Sequence, residues 1–224
     1  SSGSSSGGVD IKTIAVGSGK GGVGKTSIAA AIALALARKG HSVAALDADV
    51  SAPDLLAVLG VEVPEIPLND ENRKLEPFDL GNGLQVFSIA MSYPSDVGAS
   101  WSEDQRMRYI RSCFRDVDWG DPDFLVVDMA PGHTPEAAYL RERIKHDNLI
   151  VVSPASTSLL DSSKLIRQLR RQKVPIFGLV ENMASHRCAC GRETLPFGNA
   201  DVHAFAQKYE IRHLGKIPFQ DPDG

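Results

Sequence analysis

Apolar residues fall along the chain in short runs separated by longer stretches of helical period. The runs are Ile11–Val16, Val43–Leu46, Phe124–Val127, Leu149–Val152 and Ile176–Val180. Short apolar runs of this kind predict strands buried on both faces, as in a parallel sheet covered by helices. The segments Lys25–Lys39, Glu103–Val117, Thr157–Gln172 and Asn199–Tyr209 have the spacing to supply those helices. Gly40 stands where a left-handed residue ends the first helix, and Asn199 where a cap opens the last. Leu84–Ile89 alternates more and is placed near a sheet edge, whereas Val61–Gly83, with three prolines and several charges, reads as an excursion from the sheet. The βαβ repetition predicts an α/β fold of three layers, with a mostly parallel central sheet and helices on both faces.

A chain of 224 residues suits one domain, taken as 9–224. Ser1–Gly8 contain only Ser and Gly, have no side chain to bury, and read as a linker or an added remnant. No apolar stretch approaches the ~20 residues that span a bilayer, and no secretory pattern is present, so a cytoplasmic location is expected. A net charge of −4 speaks against broad adhesion to nucleic acid or anionic lipid. The three cysteines are too sparse for a disulfide framework. The close pair Cys188 and Cys190 points to thiol or metal chemistry, and Cys113, inside a predicted helix, to a small buried side chain.

The segment Gly19-Lys20-Gly21-Gly22-Val23-Gly24-Lys25-Thr26 fits the P-loop pattern, following a predicted strand and opening a predicted helix. Glycines let backbone N–H groups turn in around phosphate oxygens, and the helix N-terminus adds positive potential there. Lys25 is expected on the β- and γ-phosphates and Thr26 on Mg²⁺. In open parallel sheets ligands gather at the carboxyl ends of the strands. Asp47 and Asp49 close one predicted strand and Asp128 another. Phosphoryl transfer needs a carboxylate beside the metal and another to place the attacking water. For Asp47 a metal-side role and a role in organising the loop both stay open.

Lys20 makes the loop resemble the deviant Walker A group, which includes MinD, ParA, the nitrogenase iron protein and the Mrp-type iron–sulfur carriers. The resemblance implies that Lys20 reaches across a homodimer to the partner's nucleotide, as an arginine finger does. It also makes Asp49 the switch I aspartate that orients water and Asp128 the Walker B and switch II aspartate. Asp128-Met129-Ala130-Pro131-Gly132 resembles a D-x-P-P-G switch, in which Gly132 responds to the γ-phosphate. The acidic residue that usually follows is altered to His133-Thr134-Pro135-Glu136, with Glu136 a candidate replacement. Val180-Glu181-Asn182-Met183 is similar to the adenine-reading V-x-N-M, and Ser27 and Pro218 join the implied nucleotide contacts.

With Asp118-Trp119-Gly120 and Leu214-Gly215-Lys216-Ile217-Pro218 also in family order, the chain resembles the Mrp-type ATPases from Ile11 to Asp221. That implies ATP and Mg²⁺ as cofactors, slow hydrolysis coupled to dimer geometry, recipient iron–sulfur apoproteins as partners, and no stable membrane or nucleic-acid binding. Most such proteins carry C-P-x-C-G, and two chains share one [4Fe–4S] cluster. Here Cys188-Ala189-Cys190-Gly191 lacks one intervening residue. Cluster ligation, zinc at a dimer seam with His186, and no metal all stay open. The alternative function is a MinD- or ParA-type spatial organiser on membrane or DNA. MinD-like proteins end in an amphipathic membrane helix, and no basic amphipathic segment follows Asn199–Tyr209, although the family continues with a further helix beyond this point. A biosynthetic ligase of the same fold is a third class, without a substrate site to point to.

Overall fold

The computed structural model describes residues 11–62, 76–91, 100–132, 134–143, 146–188 and 190–219. Ser1–Gly8, His133, Ala189 and the middle of the predicted excursion lie outside the described residues. Strands β1 (Lys12–Ser18), β2 (Val43–Ala48), β5 (Phe124–Met129) and β6 (Asp147–Val152) form the centre of one sheet. They are flanked by β4 (Leu84–Phe87) and the two-residue β3 (Phe78–Asp79) on one side and β7 (Ile176–Arg187) on the other. The order is β3-β4-β2-β5-β1-β6-β7, and both β8 (Glu193–Thr194) and β9 (His213–Phe219) pair with β7. All pairings are parallel except β3 with β4 and β7 with β8.

The helices are α1 (Lys25–Arg38), the one-turn α2 (Leu55–Val58), α3 (Glu103–Arg115), α4 (Pro135–Arg143), α5 (Ser156–Arg171) and α6 (Val202–Lys208). They cover both faces of the sheet and complete the expected three layers. Strand β6 shows why its sequence is apolar throughout. Leu149 and Val151 enter the cluster that includes α1, α3 and α4, whereas Ile150 and Val152 enter a second cluster with Leu165, Ile166 and Leu169 of α5. Alternate residues of a strand point to opposite faces, so two cores demand an unbroken run. Each of these side chains contributes roughly 1.5–3 kcal/mol on burial.

Several elements depart from the predicted bounds. The last helix begins at Val202 and is capped by Asp201, whose carboxylate accepts from Ala204 N at 2.8 Å. Asn199 is not the cap, because Ala200 N donates to the Pro154 carbonyl and ties that stretch to the loop before α5. Strand β7 runs to Arg187, so Asn182 lies within it rather than at its end. Its register against β9 shifts between Asn182 and His186, where Met183 takes φ 59°. Strand β1 sits between β5 and β6, while the chain proceeds from it to β2 on one side and from β5 to β6 on the other. That reversal opens a crevice at the carboxyl end of β1.

Candidate functional site

The crevice holds the glycine-rich loop. Gly24, at φ 79°, turns the chain into α1 without a side-chain cap, leaving the first N–H groups of the helix to the loop. Lys25 is buried despite its charge, and its ammonium forms an ion pair with Oδ1 of Asp128 from β5. Thr26 lies beside it, Oγ1 3.4 Å from Lys25 Nζ. The second oxygen of Asp128 is buried with no hydrogen-bond partner among the described residues. Burial pushes the Asp128 carboxyl upward against the opposing pull of Lys25. The orphaned oxygen and the Thr26 hydroxyl are hard donors suited to Mg²⁺, so the residues fit that ion.

Asp47 is fully buried in β2, next to Asp128 in register. Its oxygens accept from Asp49 N at 3.2 Å, Leu55 N at 3.1 Å and the Ser88 hydroxyl at 3.1 Å. Those bonds join the ends of β2 and β4 to α2. Burial, reinforced by the neighbouring Asp128 charge, nevertheless raises its pKa to about 8. Asp49 lies just beyond the strand, accepts from Ala52 N at 3.3 Å, and is also raised, burial outweighing the attraction of Lys25. Lys25, Asp47, Asp49, Thr26 and Asp128 thus converge on one end of three adjacent strands.

Lys20 is directed along its own chain. Its ammonium meets Thr157 Oγ1 of α5 at 3.2 Å, while its carbonyl accepts from Ser18 Oγ at 2.8 Å. Gly19 presses on α5 so closely that a Cβ there would overlap the backbone at Asp161 and Ser162. Gly21, Gly22 and Ser27 are exposed around the loop, and Val23 is buried beneath it. Gly132 follows β5 at φ 70°, and its N–H donates to the Ser18 carbonyl at 2.9 Å. A turn of that N–H toward a phosphate therefore requires this bond to open.

Glu136 does not stand free at the phosphate end. It is buried in α4, and its carboxylate forms an ion pair with Arg106 of α3, which also donates through Nη1 to the Trp101 carbonyl at 2.6 Å. The suggested replacement acid is thus committed to packing two helices. Asn182 donates from Nδ2 to the Val23 carbonyl at 2.9 Å. Pro218, on β9, lines a cleft of about 460 Å³ with Ala184, Arg187, Leu195 and Lys216.

The cysteine segment forms the turn between β7 and β8, with Gly191 N donating to the Cys188 carbonyl and Cys188 N to Arg192. Cys188 and Cys190 are joined by a disulfide across a Cα separation of 5.3 Å. The sequence spoke against a disulfide framework. The turn sets these neighbours within bridging distance, and the bond staples the turn rather than the fold. Among the described residues no group of three or more His, Cys, Asp and Glu is arranged to hold a metal ion, so His186 does not complete a site with the two cysteines within one chain. His186 instead meets Phe219 edge to face, ring centroids 6.0 Å apart and planes inclined by 61°. Cys113 is fully buried, as its helix position suggested. Local pattern gave no sign of Thr157, Arg106, Ser88 or the Val23 carbonyl, whose partners lie far off in sequence.

A parallel sheet whose central strand feeds a glycine-rich loop, with a buried lysine–aspartate pair beneath it, defines the P-loop NTPase class. A model of the ParA family described as NUBPL iron-transfer P-loop NTPase matches residues 10–222, so the chain belongs to that family. It is homologous to the iron–sulfur cluster carrier protein of Salmonella typhimurium, at 35% identity over 92% of this chain and 56% of that protein. The chain therefore spans little more than half the length of that relative. The iron–sulfur cluster carrier protein of Pyrococcus horikoshii is 34% identical over 92% of this chain and 73% of its own length. Among solved structures, the nucleotide-binding protein of Archaeoglobus fulgidus, in complex with ADP and with Co found, superimposes at TM-score 0.76 and 32% identity, covering 95% of this chain and 83% of that one. Among the described residues no helix is long and apolar enough to cross a membrane.

Proposed function

We propose that this chain binds and hydrolyses ATP as a homodimer and carries or assembles iron–sulfur clusters for recipient apoproteins in the cytoplasm, without stable attachment to membrane or nucleic acid. The observation that carries this reading is strand β7. It holds Asn182 against the phosphate loop and ends one residue before Cys188, so the nucleotide end and the cysteine turn share one piece of backbone. Family membership supports the same conclusion.

In this reading Lys25 and the N–H groups from Gly19 to Thr26 hold the β- and γ-phosphates, and Ser27, Asn182 and Pro218 complete the nucleotide's surroundings. Thr26 and Asp128 hold Mg²⁺, which neutralises phosphate charge when bound. Asp49 orients the attacking water. Asp47 organises the loop, since its oxygens are occupied by Asp49 N, Leu55 N and Ser88. Lys20 leaves Thr157 and reaches the partner's nucleotide, and Gly132 releases Ser18 when a γ-phosphate is present.

The cluster is cargo. Two cysteines from each of two protomers make four thiolates, the number a [4Fe–4S] cluster takes, once each disulfide has gained two electrons from a thiol or phosphine reductant, which is itself oxidised to a disulfide or phosphine oxide. The experiment is anaerobic reduction and reconstitution, followed by visible absorption, iron and sulfide analysis, and transfer to an iron–sulfur apoprotein with and without ATP. Cluster uptake by the chain and its loss in Cys188→Ser/Cys190→Ser support the reading. No uptake, with ATP-dependent pelleting on liposomes or DNA, would replace it with a spatial organiser.

A further inference from the structure

We infer that Asn182 is a positioning residue for the phosphate loop: its amide holds the Val23–Gly24 peptide so that the Gly24 N–H faces the phosphate. The inference rests on the phosphate-site reading above and adds a residue that acts on the loop's shape from behind.

Three observations converge. First, Asn182 Nδ2 donates to the Val23 carbonyl at 2.9 Å across 159 residues of sequence, in a buried setting. Among the described residues no turn, loop or cap backbone N–H donates to that carbonyl in its place, and a buried carbonyl left without a donor is costly. Second, Gly24 lies so close that a Cβ on it would overlap the Asn182 amide nitrogen. The glycine at the loop's last position therefore answers two demands, its own φ of 79° and the presence of Asn182. Third, Met183 adopts φ 59° at the point where β7 loses register with β9. A side chain other than glycine in that region carries a backbone cost, and such strain persists where the surroundings enforce it. The kink falls on the residue after the one that grips the loop.

Planarity gives the consequence. The chain contains no cis peptide among its described residues, and in a trans peptide the C=O and the next N–H point in opposite directions. Fixing the Val23 carbonyl toward Asn182 therefore turns the Gly24 N–H away from β7, to the side where the loop closes around its anion. Preorganised donors need not be reoriented when the ligand arrives, and this orientation is what the amide supplies.

A contact made only with a base and a grip on the loop differ in what they do to a ligand that has no base. Binding of ATP and of inorganic tripolyphosphate, each with Mg²⁺, is measured calorimetrically for the full chain, for Asn182→Ala and for Asn182→Asp, with thermal melting of all three. The aspartate keeps the volume of asparagine and puts an acceptor against the Val23 carbonyl, so it tests the hydrogen bond even where the alanine variant folds poorly. Loss of one buried hydrogen bond to a preorganised loop weakens tripolyphosphate about tenfold, and ATP at least as much. In single-turnover hydrolysis the rate constant falls along with the affinity. Unchanged tripolyphosphate affinity in a folded variant whose ATP affinity has dropped would leave Asn182 as a base contact alone and overturn the proposal. Failure of the unaltered chain to bind either ligand would instead remove the phosphate site on which it stands.

Discussion

Lys20 and Thr157 of the same chain are hydrogen-bonded, Nζ to Oγ1 at 3.2 Å, so the lysine that defines the deviant loop is held on α5 rather than extended from the surface. An exposed contact of this kind is weak and exchanges readily with water. It offers the lysine a resting place that it can leave for the partner's nucleotide in the proposed homodimer. Lys20→Ala is expected to leave ATP affinity nearly unchanged and to lower hydrolysis by about 10²–10³-fold, the usual loss when one donor to developing transition-state charge is removed. Mixed dimers of altered and intact chains check the direction of action: the site that loses activity should be the one on the intact chain.

The carboxyl of Asp47 holds its proton up to about pH 8, because burial and the Asp128 charge outweigh the backbone hydrogen bonds from Leu55 and Asp49 and the charge of Lys25. Unfolded, it titrates near the ordinary value of 3.8. Between those values the native state binds the extra proton, so stability falls as pH rises through the interval. Denaturant unfolding without nucleotide, followed from pH 5 to pH 8, should show this decline. Asp47→Asn should flatten it while lowering stability at pH 5, since an amide has one acceptor oxygen for donors that now use two. A slope unaltered by the substitution would place the titration elsewhere.

Thiol counting tests the cysteine turn directly. Of the three cysteines only Cys113 is free in this structure. Protein denatured without reductant should therefore titrate as one thiol per chain, and reduced protein as three. Cluster or zinc uptake should require the reduced form. Metal retained at full stoichiometry by the oxidised protein would move the binding site away from Cys188 and Cys190.

The pairing of Arg106 with Glu136 predicts a separation between stability and catalysis. Arg106→Ala leaves a buried carboxylate without its cation and should cost about 3 kcal/mol of unfolding free energy. Glu136→Gln keeps the shape and removes the charge, so it should destabilise less and leave the hydrolysis rate near that of the unaltered chain. A large fall in turnover with Glu136→Gln would return this residue to the reacting centre.

Strand runs made much of the fold legible in the sequence, and loop chemistry marked the residues that the fold brings together at the candidate phosphate site. Apolar runs marked β1, β2, β5 and β6 because each must be buried on both faces, and the Gly19–Thr26 pattern carries its own mechanism. The misjudgements share a physical cause. Asn199 has the chemistry of a cap, but the Pro154 carbonyl claims the neighbouring backbone, and no local signal announces a partner that distant. Glu136 sits where an acid was wanted, yet Arg106, thirty residues upstream, binds it. The run at Ile176–Val180 stops short of the observed strand because Glu181 and Asn182 break the apolar pattern, whereas these residues meet Lys216 on β9 and the Val23 carbonyl of the loop. Short elements such as β3, β8 and α2 had too few residues to establish a period.

The contact between Gly19 and α5 has a meaning for how this protein tolerates change. Because the α-carbon of Gly19 already abuts the backbone at Asp161 and Ser162, even a methyl group there becomes a wedge between loop and helix. Its φ is not in the left-handed region, so the constraint is one of space alone. Gly19→Ala is thus a way to pry the nucleotide loop from the helix that carries Thr157 while every charged side chain keeps its identity. It would yield a chain in which the lysine and its resting place are both present but out of step.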